Sequence, residues 1–167
     1  MKLLPFENYF LESNLSESEI ISKLQEQIEP KKYARFAFLK DKSEYKPYEG
    51  SITGATFKIN RIIRYRNAFL PMISGEVKQN GSRSRIHIKM QMMTVAVLFL
   101  VFWIFISVFI GTVFILIASD NPGFSFAWIV PIVLLLFGYA MAIFGFSGES
   151  ARSKQFLKDL FQGDEVM

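Results

Sequence analysis

At 167 residues, 51% hydrophobic and 16% aromatic, the chain is too short for two folded soluble domains beside its apolar stretches and too aromatic to be disordered. The absence of cysteine excludes disulfides, thiolate metal sites, cysteine nucleophiles and a lipidated-cysteine anchor. The formal charge of +4 is uneven: residues 1–89 hold 16 Lys and Arg against 10 Asp and Glu, and the remainder is slightly acidic.

The opening Met1-Lys2-Leu3-Leu4-Pro5-Phe6-Glu7 meets a Pro and a Glu before an apolar region develops. No signal peptide is expected there, and the first long apolar run would serve as the insertion signal. Tyr9 to Leu15 suits a short strand that stops at polar residues. A helix is expected next, because Ser16 followed by Glu19 has the spacing of a reciprocal capping box, and Ile20, Ile21, Leu24 and Ile28 recur at helical intervals. Pro30 should end it near Glu29. Tyr33 to Leu39 reads as a second strand and Lys40 to Lys46 as an exposed connection.

From Pro47 the pattern is that of antiparallel strands. Tyr48–Thr53 and Phe57–Tyr65 lie either side of Gly54, and Phe69–Lys78 and Arg83–Met92 either side of Asn80-Gly81, a strong hairpin signal. In the last strand Ile86, Ile88 and Met90 alternate with Arg85, His87 and Lys89, so one face is core and the other is wet.

The 30 residues from Met90 to Ser119 carry no formal charge, and after Asp120 a second uncharged run extends from Asn121 to Gly148. A bilayer's hydrocarbon core needs roughly 20 apolar helical residues, so both runs are expected to span it. The spans are placed at about 93–118 and 124–146, with Asn121-Pro122-Gly123 turning the outer loop 119–123. Pro131 sits in the first turns of its helix, where a missing amide matters least. Trp128 is expected near the outer interface and Trp103 deeper, at a helix contact. Counting outward from the turn sets Gly111 near Ile132 and Phe105 near Gly138. Ser107 with Gly111, and Gly138 with Ala142, have the small-residue spacing that lets helices approach closely, within the hairpin, in a homo-oligomer or against a membrane protein partner. Lys78, Arg83, Arg85 and Lys89 flank the first span, Arg152, Lys154 and Lys158 follow the second, and the loop has no basic residue. Both termini are therefore expected in the cytoplasm.

Beyond Ser147-Gly148, residues 150–162 read as a short amphipathic helix with Phe156, Leu157, Leu160 and Phe161 on one side, packed on the sheet or on the bilayer. The expected fold class is an α+β membrane protein: a cytoplasmic α+β domain over 1–91 with an N-terminal strand and helix and an antiparallel meander, a transmembrane hairpin over 92–147, and a cytoplasmic C-terminal amphipathic helix and tail over 148–167.

Neither expected span holds an ionisable residue, which argues against a proton relay or ion path. The single histidine, His87, lies between two cations and cannot build a metal site alone. No phosphate loop, nucleophile elbow or carboxylate-pair motif is present, so neither enzymatic activity nor a cofactor or metal is expected. What remains is a basic concentration opposed between residues 58 and 89 only by Glu76. Lys58, Arg61, Arg64, Arg66, Arg85 and Lys89 are the candidates for contact with anionic lipid headgroups or a protein partner, each worth about 1 kcal/mol near an anionic leaflet. Nucleic acid is not expected, because no binding motif accompanies the charge. An alternative is a carrier or sensor of an apolar ligand, with a groove lined by Phe57, Ile59, Phe69, Met72, Ile86 and Ile88; another is a subunit of a larger membrane complex.

Tyr48-Glu49-Gly50, Phe57-Lys58-Ile59, the string Tyr65-Arg66-Asn67-Ala68-Phe69-Leu70-Pro71, Ile73-Ser74-Gly75 and the Lys89-Met90 strand entering a hairpin together resemble a family of small, uncharacterised bacterial two-span membrane proteins. The likeness covers roughly residues 48–105. It implies a bacterial inner membrane and brings no activity with it. In element order the soluble part also resembles a shortened START-like helix-grip domain, which would imply an apolar-ligand groove, or a PH-like sheet, which would imply headgroup binding by basic loops.

Overall fold

The computed structural model describes residues 4–30, 46–63, 65–120 and 129–166. Tyr33–Leu39, all of Lys40–Lys46 except Lys46, the Asn121-Pro122-Gly123 turn, Trp128 and Arg64 lie outside the described residues.

The chain is an α+β protein with one seven-stranded sheet and three helices among the described residues. Strand β1 (Phe6–Ser13) leads into α1 (Glu17–Gln27). The capping box forms: Ser16 Oγ accepts from the Glu19 amide at 3.3 Å, and Glu19 Oε2 accepts from the Ser16 amide at 2.8 Å. The helix ends at Gln27 rather than near Glu29 because Ile28 turns extended and opens β2 (Ile28–Pro30), which runs parallel to β3 (Tyr48–Thr53). Strands β3, β4 (Thr56–Arg61), β5 (Pro71–Asn80) and β6 (Arg83–Met92) form an antiparallel meander. Both of its tight hairpins turn on two residues, Gly54-Ala55 and Gly81-Ser82, with the glycine first and at positive φ, the requirement of a type II′ turn. The second turn is thus one residue later than Asn80-Gly81. Strand β1 pairs with β6, and β7 (Gly163–Val166) pairs with β1, giving the order β2-β3-β4-β5-β6-β1-β7.

Alternation along the strands sorts the two faces. Leu11, Phe57, Ile59, Ile73, Val77, Ile86, Ile88 and Met90 point to one side, where Ile20 and Leu24 of α1 and Leu157 and Phe161 close a single core. The opposite face is polar and, among the described residues, bears no helix, as one face of an antiparallel sheet can be.

Helices α2 (Thr94–Asp120) and α3 (Ile129–Phe161) are long and apolar enough to cross a membrane. Only Met93 separates β6 from α2. Trp103 Nε1 donates to the Leu134 carbonyl at 2.9 Å, tying the two helices together. Gly138 makes room for that indole: a Cβ there would lie 2.5 Å from it. Gly138 therefore faces Trp103 rather than Phe105, and Gly111 faces Pro131 rather than Ile132. Ser107, Gly111, Gly138 and Ala142 are all buried on this seam, while Phe102, Phe105 and Phe109 are exposed on the outside of the pair.

Helix α3 does not break at Ser147-Gly148; the expected second span and C-terminal helix are one 33-residue helix, about 50 Å long. Its first half lies against α2. Its second half lies on the sheet through Phe146, Ser150, Ser153, Leu157 and Phe161, one stripe at helical spacing. Because the helix axis runs along the sheet's inner face, the sheet stands upright on the end of the hairpin, its open face turned sideways.

Candidate functional site

The strand register arranges the open face in rungs. Nearest the hairpin, Glu49, Asn60, Met72, Gln91 and Phe6 lie side by side across β3, β4, β5, β6 and β1. The next rung is Ser51, Lys58, Ser74, Lys89 and Asn8, and the one beyond it Thr53, Thr56, Glu76, His87 and Phe10. The β3 to β6 members of these two rungs floor an open concavity of about 500 Å³. Lys58 and Lys89 flank the Ser74 hydroxyl from strands two apart, a backbone separation of about 10 Å. Two flexible ammonium groups with hydroxyls between them can converge on one carboxylate or phosphate. Glu76 lies in the adjoining rung and is engaged by Lys78 at 3.1 Å.

His87 helps to shape this face. Its ring stacks on Phe10 at 4.4 Å, and Nε2 is 2.6 Å from Asn8 Oδ1. Burial and then the neighbouring Lys89 charge lower its pKa, favouring the neutral ring. Arg85 lies over the other contact of that stack, 4.5 Å from the Phe10 centroid, and Arg83 reaches Glu12 at 3.9 Å. Among the described residues no group of three His, Asp or Glu side chains is placed to hold a metal ion.

A second cluster sits where hairpin and sheet meet. Glu149, on α3, is 3% exposed. Arg61 Nη1 donates to its Oε2 at 2.6 Å, Arg152 Nη1 donates to its Oε1 at 3.0 Å, and the Tyr65 hydroxyl donates to Oε1 as well. Burial pushes the Glu149 pKa up, but the Tyr65 and Arg61 hydrogen bonds and the Arg61 and Arg152 charges outweigh it, so the carboxyl is held below its ordinary range. Burial alone would lower the Arg61 pKa, and Glu149 raises it overall. The Tyr65 pKa is raised, first by the hydrogen bond it gives Glu149. The segment after Tyr65 is pinned beside this network: Asn67 Nδ2 donates to the Gly145 carbonyl at 2.8 Å and Asn67 Oδ1 accepts from the Phe69 amide at 2.9 Å. Phe69 is buried with Ala96 and Ala142, wedged between the start of α2 and the middle of α3.

The six basic candidates are therefore divided. Lys58, Arg85 and Lys89 lie on the open face, Arg66 is exposed in the connection between β4 and β5, and Arg61 points to the inner face and is ion-paired. The groove candidates are divided too. Phe57, Ile59, Ile86 and Ile88 fill the core against Leu157 and Phe161, Phe69 belongs to the junction, and Met72 is on the opposite face. Glu149 was not expected from the sequence, although it is the first charge after the second apolar run, a position where burial is informative. Compared with family models, with curated proteins and with solved structures, the chain matches none.

Proposed function

We propose that the chain is a two-span membrane protein whose α+β domain is a non-enzymatic adaptor, and that the Lys58–Ser74–Lys89 rung receives an acidic group of a protein partner. The apolar outer surface of α2 and α3 supports the spanning reading, since a run such as Val95, Leu98, Phe102, Phe105 and Phe109 has no protein cover. The basic flanks support a cytoplasmic side for the sheet and both termini, and the family resemblance supports a bacterial inner membrane.

The single observation that carries the adaptor reading is the rung itself, held sideways. Lys89 lies five residues before Thr94, roughly 15 Å along the strand from the start of α2. With lipid phosphates roughly 5–7 Å beyond the apolar edge, the rung stands about one Debye length, ~8 Å at physiological salt, from the leaflet charges. That separation weakens their pull and leaves the lysines open to a partner moving beside the membrane.

The test uses the full chain in nanodiscs of uncharged lipid, titrated with inorganic phosphate and with a glutamate-rich peptide and followed by backbone amide shifts. Shifts should gather at Ser51, Lys58, Ser74 and Lys89, weaken with salt, and require about tenfold more peptide in K58E/K89E, a change of ~1.4 kcal/mol. Equal affinity in K58E/K89E, or shifts scattered over the domain, would overturn the reading.

A further inference from the structure

We propose that Arg66 and Arg152, held beside Tyr65 at the end of the hairpin, bind the phosphate of an anionic membrane phospholipid; this rests on the spanning reading and is separate from the open face. The height of these groups is fixed by α3. The last apolar residue of its uncharged run is Phe146, and Arg152 lies five residues beyond Ser147, about 7.5 Å along the axis. A headgroup layer is roughly 5–7 Å thick, so the Arg152 guanidinium is at phosphate level.

Tyr65 and Arg66 are brought to the same place by the Asn67 bond to the Gly145 carbonyl and by the Phe69 wedge. Tyr65 is 50% exposed, an amphipathic ring at the height where membrane aromatics gather. The Arg152 side chain is 63% exposed. One of its nitrogens, Nη1, meets both Glu149 and the Tyr65 hydroxyl at 3.0 and 3.3 Å. The rest of its planar fork is left for an oxyanion.

Charge at the junction has the right sign. Glu149 lies between Arg61 and Arg152, Glu7 accepts from Ser150 Oγ at 3.0 Å, and Arg66 is exposed one residue beyond Tyr65, so three positive groups stand against two negative ones. The burial of Glu149 against Arg61 removes it from competition with an incoming phosphate. Below the cluster, Phe69 touches the half-exposed Phe99 ring on α2, a surface for the same lipid's acyl chain.

The experiment is native mass spectrometry of the full chain released from nanodiscs holding equal phosphatidylglycerol and phosphatidylcholine. The chain should keep phosphatidylglycerol selectively, with the preference falling about fivefold for R66Q and again for R152Q, while K58Q/K89Q keeps it. R66Q, which removes no contact of Glu149, guards against loss through misfolding. Equal retention of the two lipids by the unaltered chain, an unchanged preference in R66Q/R152Q, or displacement of the lipid by inorganic phosphate would overturn the proposal. Release of the chain by alkaline extraction would instead refute the spanning reading.

Discussion

Glu149→Leu destabilises the α+β domain by about 3 kcal/mol, because it strands Arg61 on the inner face with no counter-charge. The lower end of the range for broken buried pairs applies, since 30% of the Arg61 side chain keeps access to water and only 4% of Glu149 does. Thermal unfolding of the full chain in detergent, read by hydrogen exchange in β3, β4 and the second half of α3, measures the loss. The double variant R61M/E149L should recover most of it, as apolar replacements of buried pairs commonly do. A loss below ~1 kcal/mol for E149L would show that the pair is solvated and dispensable. The same network sets an acid limit. With the folded Glu149 pKa held below its unfolded value, its contribution is fully present above the ordinary carboxylate range and disappears as pH falls through the depressed folded value. Stability should therefore be insensitive to this group from neutral pH to mild acid, and a loss beginning near neutrality would contradict the assignment.

Phe161→Ala is expected to cost about 3–5 kcal/mol, the usual range for emptying a large buried aromatic site. Phe161 is fully buried, its ring 6.3 Å from that of Phe57, and its carbonyl accepts from Ser13 Oγ at 2.5 Å. It closes the core at the point where α3 stops and Gln162, at positive φ, reverses the chain into β7. Hydrogen exchange should rise in β7, in β1 and in α3 beyond Glu149, while residues 129–145, supported by α2, stay protected. Uniform loosening of both halves of α3 would mean that the helix does not join two independently supported regions.

What could be read from the sequence was local. The capping box at Ser16 and Glu19, the alternation of Ile86, Ile88 and Met90 with Arg85, His87 and Lys89, and the two uncharged runs each lie within one element, where period and spacing carry the information. Strand β7 was hidden because Gly163-Asp164-Glu165-Val166 has no alternation and a single apolar residue, Val166. It forms because Gln162 turns the chain back beside β1 and Lys154 holds Glu165 at 2.7 Å. The continuity of α3 was hidden for the opposite reason. Gly145, Ser147 and Gly148 signal a break, each glycine costing about 1 kcal/mol in a helix, but Phe146 is buried in the core and Gly145 gives Asn67 and Phe69 their close approach. Arg61 and Glu149 are 88 residues apart, so the pair itself was hidden, although the alternation of Phe57, Ile59 and Arg61 against Lys58 already sets Arg61 on the inner face.

The central claim is that the hairpin crosses a membrane and holds the whole α+β domain on one side. The chain has no cysteine, so single substitutions S82C in the β5–β6 turn, D164C in β7 and S125C between α2 and α3 each give one label site. With a membrane-impermeant thiol reagent on intact cells, S125C should label at once, and S82C and D164C only after permeabilisation. Labelling of all three together, or of S82C and D164C on opposite sides, would contradict the account.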